Sequence, residues 1–141
     1  MIIHEGENIH DFYDIGLKVG DPIYSKAYHA KHRVTKEVKA VKIYKKSQIS
    51  NYEKFKKAAE MVSSFDHPNI LTYSDFYEDE EKCYLVTDLM HCELFEAMLK
   101  IENFNENDAA NIAYQMLSAL TYLHDKGLVH KNIRPSNILV K

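Results

Sequence analysis

Apolar residues recur along this chain with two different periods, and the switch between them outlines a fold. From Tyr13 to Gly20 the sequence YDIGLKVG alternates apolar and polar positions, the period of a half-buried strand, and ends in a glycine turn. Ile23 to Ala30 and Glu37 to Tyr44 continue with β-branched and aromatic residues, and Arg33-Val34-Thr35-Lys36 makes the turn between them. Three strands at this spacing predict an antiparallel meander. Residues 1–12, ahead of them, read as a polar lead-in.

The period then changes. Ser50-Asn51-Tyr52-Glu53 has the form of a capping box, and Phe55, Ala58, Ala59, Val62 and Phe65 follow at helical spacing. This helix is expected to stop at Asp66-His67-Pro68-Asn69, because proline pushes its predecessor out of the helical region. Ile70 to Tyr77 and Cys83 to Leu89 predict two more strands, joined by the acidic turn Glu78-Asp79-Glu80-Glu81. Glu93 to Lys100 reads as a short helix. Asn105 caps a longer one running to about Asp125, with Ile112, Met116, Leu120 and Leu123 along one stripe and Gly127 as its stop. A short strand completes the order.

Composition works by exclusion. The 141 residues are 45% hydrophobic and 28% charged, the balance of one ordinary globular domain. A formal net charge of −3 leaves no footprint for nucleic acid or an anionic membrane. No apolar run approaches the roughly 20 residues that a transmembrane helix needs. The N-terminus has no basic stretch, and Ile2 stands where myristoylation requires glycine. Cys83 and Cys92 supply neither a disulfide framework nor a zinc site, so a reducing, cytoplasmic compartment is expected. Of the eight histidines only His29 and His32 lie close together, which speaks against a histidine metal site. No calcium-binding D-x-D-x-D-G loop occurs.

Candidate chemistry gathers at the end of the chain. His130-Lys131-Asn132-Ile133-Arg134-Pro135-Ser136-Asn137-Ile138-Leu139 resembles H-R-D-L-K-P-E-N-I-L, the catalytic loop of protein kinases. Upstream, Ala40-Val41-Lys42-Ile43 resembles the family's V-A-I-K strand, and Asp66-His67-Pro68-Asn69-Ile70 the turn after its regulatory helix. Leu85-Val86-Thr87-Asp88-Leu89 followed by Glu93-Leu94-Phe95-Glu96 is similar in kind to calcium/calmodulin-dependent and calcium-dependent Ser/Thr kinases. The resemblance covers residues 12–141 and implies an α+β fold. Residues 13–89 would be a five-stranded antiparallel small lobe with one regulatory helix. Residues 90–141 would be the first helices of the helical large lobe, up to the catalytic loop. The D-F-G strand, the activation loop and the rest of that lobe are not among these residues.

The resemblance also assigns roles. Val19, Gly20 and Ala27 fall in and around the glycine-rich loop that covers nucleotide phosphates, and Ala40 and Lys42 on the strand whose lysine contacts them. Thr87, Asp88 and Met90 would line the adenine, Glu93 would lie near the ribose, and Asn137 would hold magnesium. ATP and magnesium are the implied cofactors, and weak binding or none is an equal expectation given the departures that follow.

Pro22 and Ser25 replace the second and third glycines, removing an amide donor and the close backbone approach. An ordinary β-turn at Asp21-Pro22 is the other reading of this loop. Lys42 likewise has the plain reading of a surface lysine on an edge strand. Ala58 stands where the glutamate that holds this lysine is expected, and Glu60 lies about 200° further round a helix. Only a slid or rotated helix would bring Glu60 or Glu53 into play. Asn132 occupies the place of the aspartate that accepts the substrate proton, and an amide cannot take up a proton. Arg134 keeps the charge that would face the transferring phosphate, although a guanidinium is not equivalent to an ammonium. The segment from Asp88 to Glu93 is one residue shorter than in relatives, which weakens the ribose assignment.

Two functions follow. One is a catalytically inactive kinase-like domain acting as a scaffold or regulatory protein-binding module. The other is the N-terminal part of an ATP-dependent Ser/Thr protein kinase. A small α+β domain unrelated to kinases is the remaining alternative. In every case the stripe Ile112, Met116, Leu120 and Leu123 needs covering, by a protein partner or by further polypeptide.

Overall fold

A computed structural model of the chain describes residues 1–19 and 26–141. They form two compact units, residues 1–65 with 71–89 and residues 66–70 with 90–141.

The first unit is built on a six-stranded sheet. Its strands are β1 (Ile2–His4), β2 (Tyr13–Lys18), β3 (Ala27–His32), β4 (Val38–Lys45), β5 (Tyr73–Glu78) and β6 (Lys82–Asp88), in the order β1-β5-β6-β4-β3-β2. The five strands from β2 to β6 pair antiparallel, as the alternation predicts. The sixth, β1, adds in parallel to β5.

Residues 1–12 are therefore not a polar lead-in. After β1 the chain makes the short helix α1 (Ile9–Phe12), and Ile9 is 1% exposed in a cluster with Tyr13, Ala30, Val41, Tyr77, Tyr84 and Val86. Met1 and Ile3 pack into a second cluster, around Ala59, Phe76, Cys83 and Leu85. A three-residue strand is too short to display a period, and its few apolar residues do their packing singly.

The second cluster joins the sheet to helix α2 (Tyr52–Ser63), which contributes Tyr52, Phe55 and Ala59. The cap lies one residue later than the sequence pattern suggested. Asn51 is the N-cap, and its side-chain oxygen accepts the Lys54 amide at 2.9 Å. In that frame Glu53 is the second helical residue, not the third, and the Ser50/Glu53 box does not form. The strand expected from Ile70 starts at Tyr73, because residues 66–70 belong to the second unit.

The second unit holds a two-stranded sheet, β7 (Cys92–Glu93) with β8 (Leu139–Val140), and helices α3 (Leu94–Lys100) and α4 (Glu106–Asp125). Asn105 caps α4 in a reciprocal box: its side chain accepts the Asn107 and Asp108 amides, and Asp108 accepts the Asn105 amide at 3.1 Å. Gly127, at φ +72°, ends the helix. Its N–H donates to the His124 carbonyl at 2.8 Å and the Leu128 N–H to Leu123 at 2.9 Å, a Schellman motif. The Asp66–Ile70 segment is tied to α4 by three contacts. The Asp66 N–H donates to the Tyr122 hydroxyl, His67 Nε2 meets Ser118 Oγ, and Asn69 Nδ2 donates to Gln115 Oε1. The stripe residues Ile112, Met116, Leu120 and Leu123 are only half-buried, while Tyr114 is 75% and Leu117 62% exposed. Among the described residues no helix is long and apolar enough to cross a membrane.

Candidate functional site

Strand register collects part of the expected nucleotide site on one face of the first unit. Ala27 pairs with Lys42 and Lys42 with Leu85, while Ala40 pairs with His29 and Thr87. Directly opposed residues share a face, so Ala27, Ala40, Lys42 and Thr87 line the same side of β3, β4 and β6. Val19 joins them through its N–H, which donates to the Ala27 carbonyl at 2.9 Å. Gly20, Pro22 and Ser25, the rest of the expected phosphate loop, lie outside the described residues.

The end of β6 is arranged for structure. Thr87 is 2% exposed, and its hydroxyl donates to the Thr72 carbonyl at 2.8 Å. Asp88 turns to the opposite face and accepts from Lys39 Nζ at 2.8 Å, with Glu37 on the same ammonium at 2.9 Å. Those two hydrogen bonds hold the Lys39 ammonium well above its ordinary range.

Lys42 is half-buried rather than a surface lysine, and desolvation lowers its pKa. Its Nζ lies 5.8 Å from the centroid of the Tyr73 ring. Among the described residues no carboxylate pairs with it. Ala58 is exposed on α2, and so are Glu53 and Glu60, neither of which reaches Lys42. Neither glutamate of α2 supplies the replacement that a slid or rotated helix would have offered.

A different carboxylate anchors α2. Glu78, at the end of β5, accepts from the Tyr52 hydroxyl at 2.5 Å and from Lys56 Nζ at 3.0 Å, and Lys46 Nζ lies at 2.9 Å. Burial opposes the Glu78 charge, yet the hydrogen bonds from Lys46, Tyr52 and Lys56 outweigh it and hold the carboxyl at about 2. Sequence reasoning missed this node. Its members sit more than twenty residues from Glu78, beyond the reach of any periodic or capping signal.

In the second unit, Glu93 and the end of the His130 loop meet across the two-stranded sheet. Cys92 pairs with Val140 and Glu93 with Leu139, while the Leu94 N–H donates to the Ile138 carbonyl at 2.8 Å. Met90 leads into this strand half-buried, and Glu93 is exposed. The loop bends back on itself. Lys131 adopts φ +67°, the Asn132 N–H donates to His130 Nδ1 at 3.2 Å, and Asn137 Nδ2 donates to the Asn132 carbonyl at 2.9 Å. The Asn132 and Arg134 side chains are exposed, and neither has a hydrogen bond or ion pair among the described residues. Asn137 spends a side-chain amide hydrogen on the loop, so Oδ1 is the atom it offers to a cation. No three His, Cys, Asp or Glu residues gather as a metal cluster among the described residues.

Comparisons with known proteins find protein kinases. The chain is 36% identical to calcium-dependent protein kinase 5 of Plasmodium falciparum (isolate 3D7) over 141 residues, which is 99% of this chain and 25% of that protein. It is 34% identical to calcium-dependent protein kinase 3 of Plasmodium yoelii yoelii, over 94% of this chain and 25% of that protein. It is 30% identical to an Aurora kinase of Saccharomyces cerevisiae, over 99% of this chain and 41% of that protein. The chain thus spans about a quarter of the length of the first curated relatives it matches. A family model described as the protein kinase domain, a family whose chemistry uses ATP and magnesium, matches residues 13–141. Since that match runs through both the lysine strand and the His130 loop, the chain belongs to the protein kinase domain family.

Proposed function

We propose that this chain is a kinase-like module that acts as a scaffold or regulatory protein-binding domain, without transferring phosphate. The observation that carries the reading is Asn132, whose exposed side-chain amide has no hydrogen-bond partner among the described residues, at the place where the family's base would stand. A positioned general base contributes roughly 10²–10⁴-fold, and an amide supplies none of it. Lys42 supports the same reading, because its ammonium has an aromatic ring beside it and, among the described residues, no carboxylate to orient it. The half-buried stripe on α4, with Tyr114 and Leu117 exposed beside it, is the surface proposed to meet a protein partner or further polypeptide. Two free thiols suit work in a reducing cytoplasm.

An ATP-dependent Ser/Thr protein kinase is the second reading, favoured by Lys42, His130 and Asn137, which all stand at their family places. In that second reading Lys42 would contact nucleotide phosphates and Asn137 Oδ1 a magnesium ion, whereas in the first weak nucleotide binding or none is an equal expectation.

The test is phosphate transfer from ATP, assayed in the longest polypeptide that carries these residues, with and without Asn132→Asp. Transfer by the unaltered protein overturns the proposal. No transfer until Asn132→Asp is made identifies the base as the missing part, and none in either form shows that the other departures also abolish it. A thermal midpoint that rises only with ATP and magnesium together would give the nucleotide a structural role, since a ligand that binds only the folded state raises it.

A further inference from the structure

The N-terminal strand is held at the sheet edge by an unusual arrangement. β1 pairs with β5 over three residues only, Ile2 opposite Asp75, Ile3 opposite Phe76 and His4 opposite Tyr77. At its end, His4 Nδ1 lies 2.6 Å from Glu7 Oε2 and His4 Nε2 lies 2.9 Å from Asp75 Oδ1. The imidazole stacks on Tyr77 at 4.1 Å between centroids and 5° between planes, with Phe12 at 5.9 Å. Gly6, at φ +72°, makes the turn that brings Glu7 back to the ring.

Both ring nitrogens therefore face carboxylate oxygens, and an ionised carboxylate only accepts. A neutral imidazole has one N–H and would turn a lone pair toward one of the two oxygens, whereas an imidazolium donates to both. We propose that β1 is a pH-sensitive clasp on the sheet, locked while His4 carries two protons between Glu7 and Asp75 and released when it gives one up.

The surroundings leave His4 as the group that decides. Neither Glu7 nor Asp75 has another ion-pair partner among the described residues. Tyr77 lies beneath the ring and Tyr13 meets Tyr77 edge-on at 6.3 Å, with Lys39 and Glu37 acting on Tyr13 from further out. Burial pushes both phenols up, so they stay neutral while an imidazole titrates. At His4 itself burial opposes the charge, but hydrogen bonds to Asp75 and Glu7 outweigh it and raise the pKa above 6.5. With the carboxylates ionised, the clasp is complete below 6.5 and is lost as pH rises through the raised value.

Release would reach beyond the edge strand. Met1 and Ile3 pack in the cluster that includes Ala59 of α2, and Met1 Sδ lies 3.3 Å from the Ser63 hydroxyl, which donates to the Ala59 carbonyl at 2.7 Å. Opening the clasp thus bares the β5 edge and withdraws packing from the last turn of α2. The inference concerns the first unit alone and does not depend on whether the protein transfers phosphate.

Amide hydrogen exchange of the 141-residue chain tests this, followed from about pH 5.5 to about 8.5 and corrected for intrinsic rates, with the His4 imidazole titrated by NMR. Protection in residues 1–8 is expected to fall about tenfold with a midpoint that tracks His4, and residues 59–65 and 73–78 should follow in step. His4→Gln, which stacks and bonds but does not titrate, should remove the pH dependence, and Glu7→Gln should lower the His4 midpoint. A His4 midpoint at or below the ordinary value overturns the proposal. So does protection that is flat with pH, or a pH dependence that survives in His4→Gln.

Discussion

Lys42 Nζ sits 5.8 Å from the centre of the Tyr73 ring, so an aromatic face stands in for a carboxylate beside this desolvated ammonium. A cation–π contact recovers only about 1 kcal/mol or so, less than a hydrogen-bonded carboxylate would. Lys42→Met keeps the chain length and removes the charge. It is expected to stabilise the protein by about 1 kcal/mol at neutral pH, seen as a higher urea midpoint. The penalty is complete below the lowered Lys42 pKa and gone above about 10.5, so the advantage of methionine should vanish in alkali. A methionine variant less stable than the parent would mean that Lys42 has a favourable partner.

Glu78 makes the opposite kind of contribution. Its depressed pKa means stability that is complete above about 4.5 and lost as pH falls toward about 2. Glu78→Gln should cost about 2 kcal/mol at neutral pH, after discounting for the solvent that screens a partly exposed cluster. Acid denaturation curves of parent and variant should converge across that window, and a gap that persists at the acid end would assign the loss to packing.

The buried position of Ile9 can be checked directly. Ile9→Ala leaves a cavity in the cluster with Tyr13, Val41 and Tyr77 and should cost about 3 kcal/mol by chemical denaturation. A loss below about 0.5 kcal/mol, the range of ordinary surface substitutions, would remove the first dozen residues from the core.

Gly127 isolates a backbone effect. Nothing lies within 4 Å of where a Cβ would stand, so Gly127→Ala meets open space and only the left-handed conformation opposes it. The expected cost is about 1 kcal/mol, with fraying of the last turn of α4 seen as faster exchange at Leu123 to Asp125. An unchanged stability would mean that the Schellman turn does not hold in solution.

Much of this was legible in the chain because the signals act over a few residues. Alternation between Tyr13 and Lys18 announced a strand, and the positions of Ala40 and Lys42 put both on one face, which the pairing with Thr87 and Leu85 bears out. Asn105 and Gly127 bracketed α4 through capping chemistry that needs only neighbours along the backbone. The α2 cap moved by one residue because Ser50 and Asn51 are both good caps, and the Glu53 pattern favoured the wrong one.

The order of elements from Tyr13 onward, the face on which Lys42 lies and the amide at Asn132 are all written in local sequence, where periodicity, caps and single side-chain chemistry operate. Folding in three dimensions decided the rest. It recruited residues 1–12 into the first unit, set Lys42 beside the Tyr73 ring, gathered Lys46, Tyr52 and Lys56 around Glu78, and placed His4 between Glu7 and Asp75. Most of these contacts join residues far apart in the chain. Their energies depend on burial and on which groups the sheet brings within hydrogen-bond distance, and neither exists until the strands have paired.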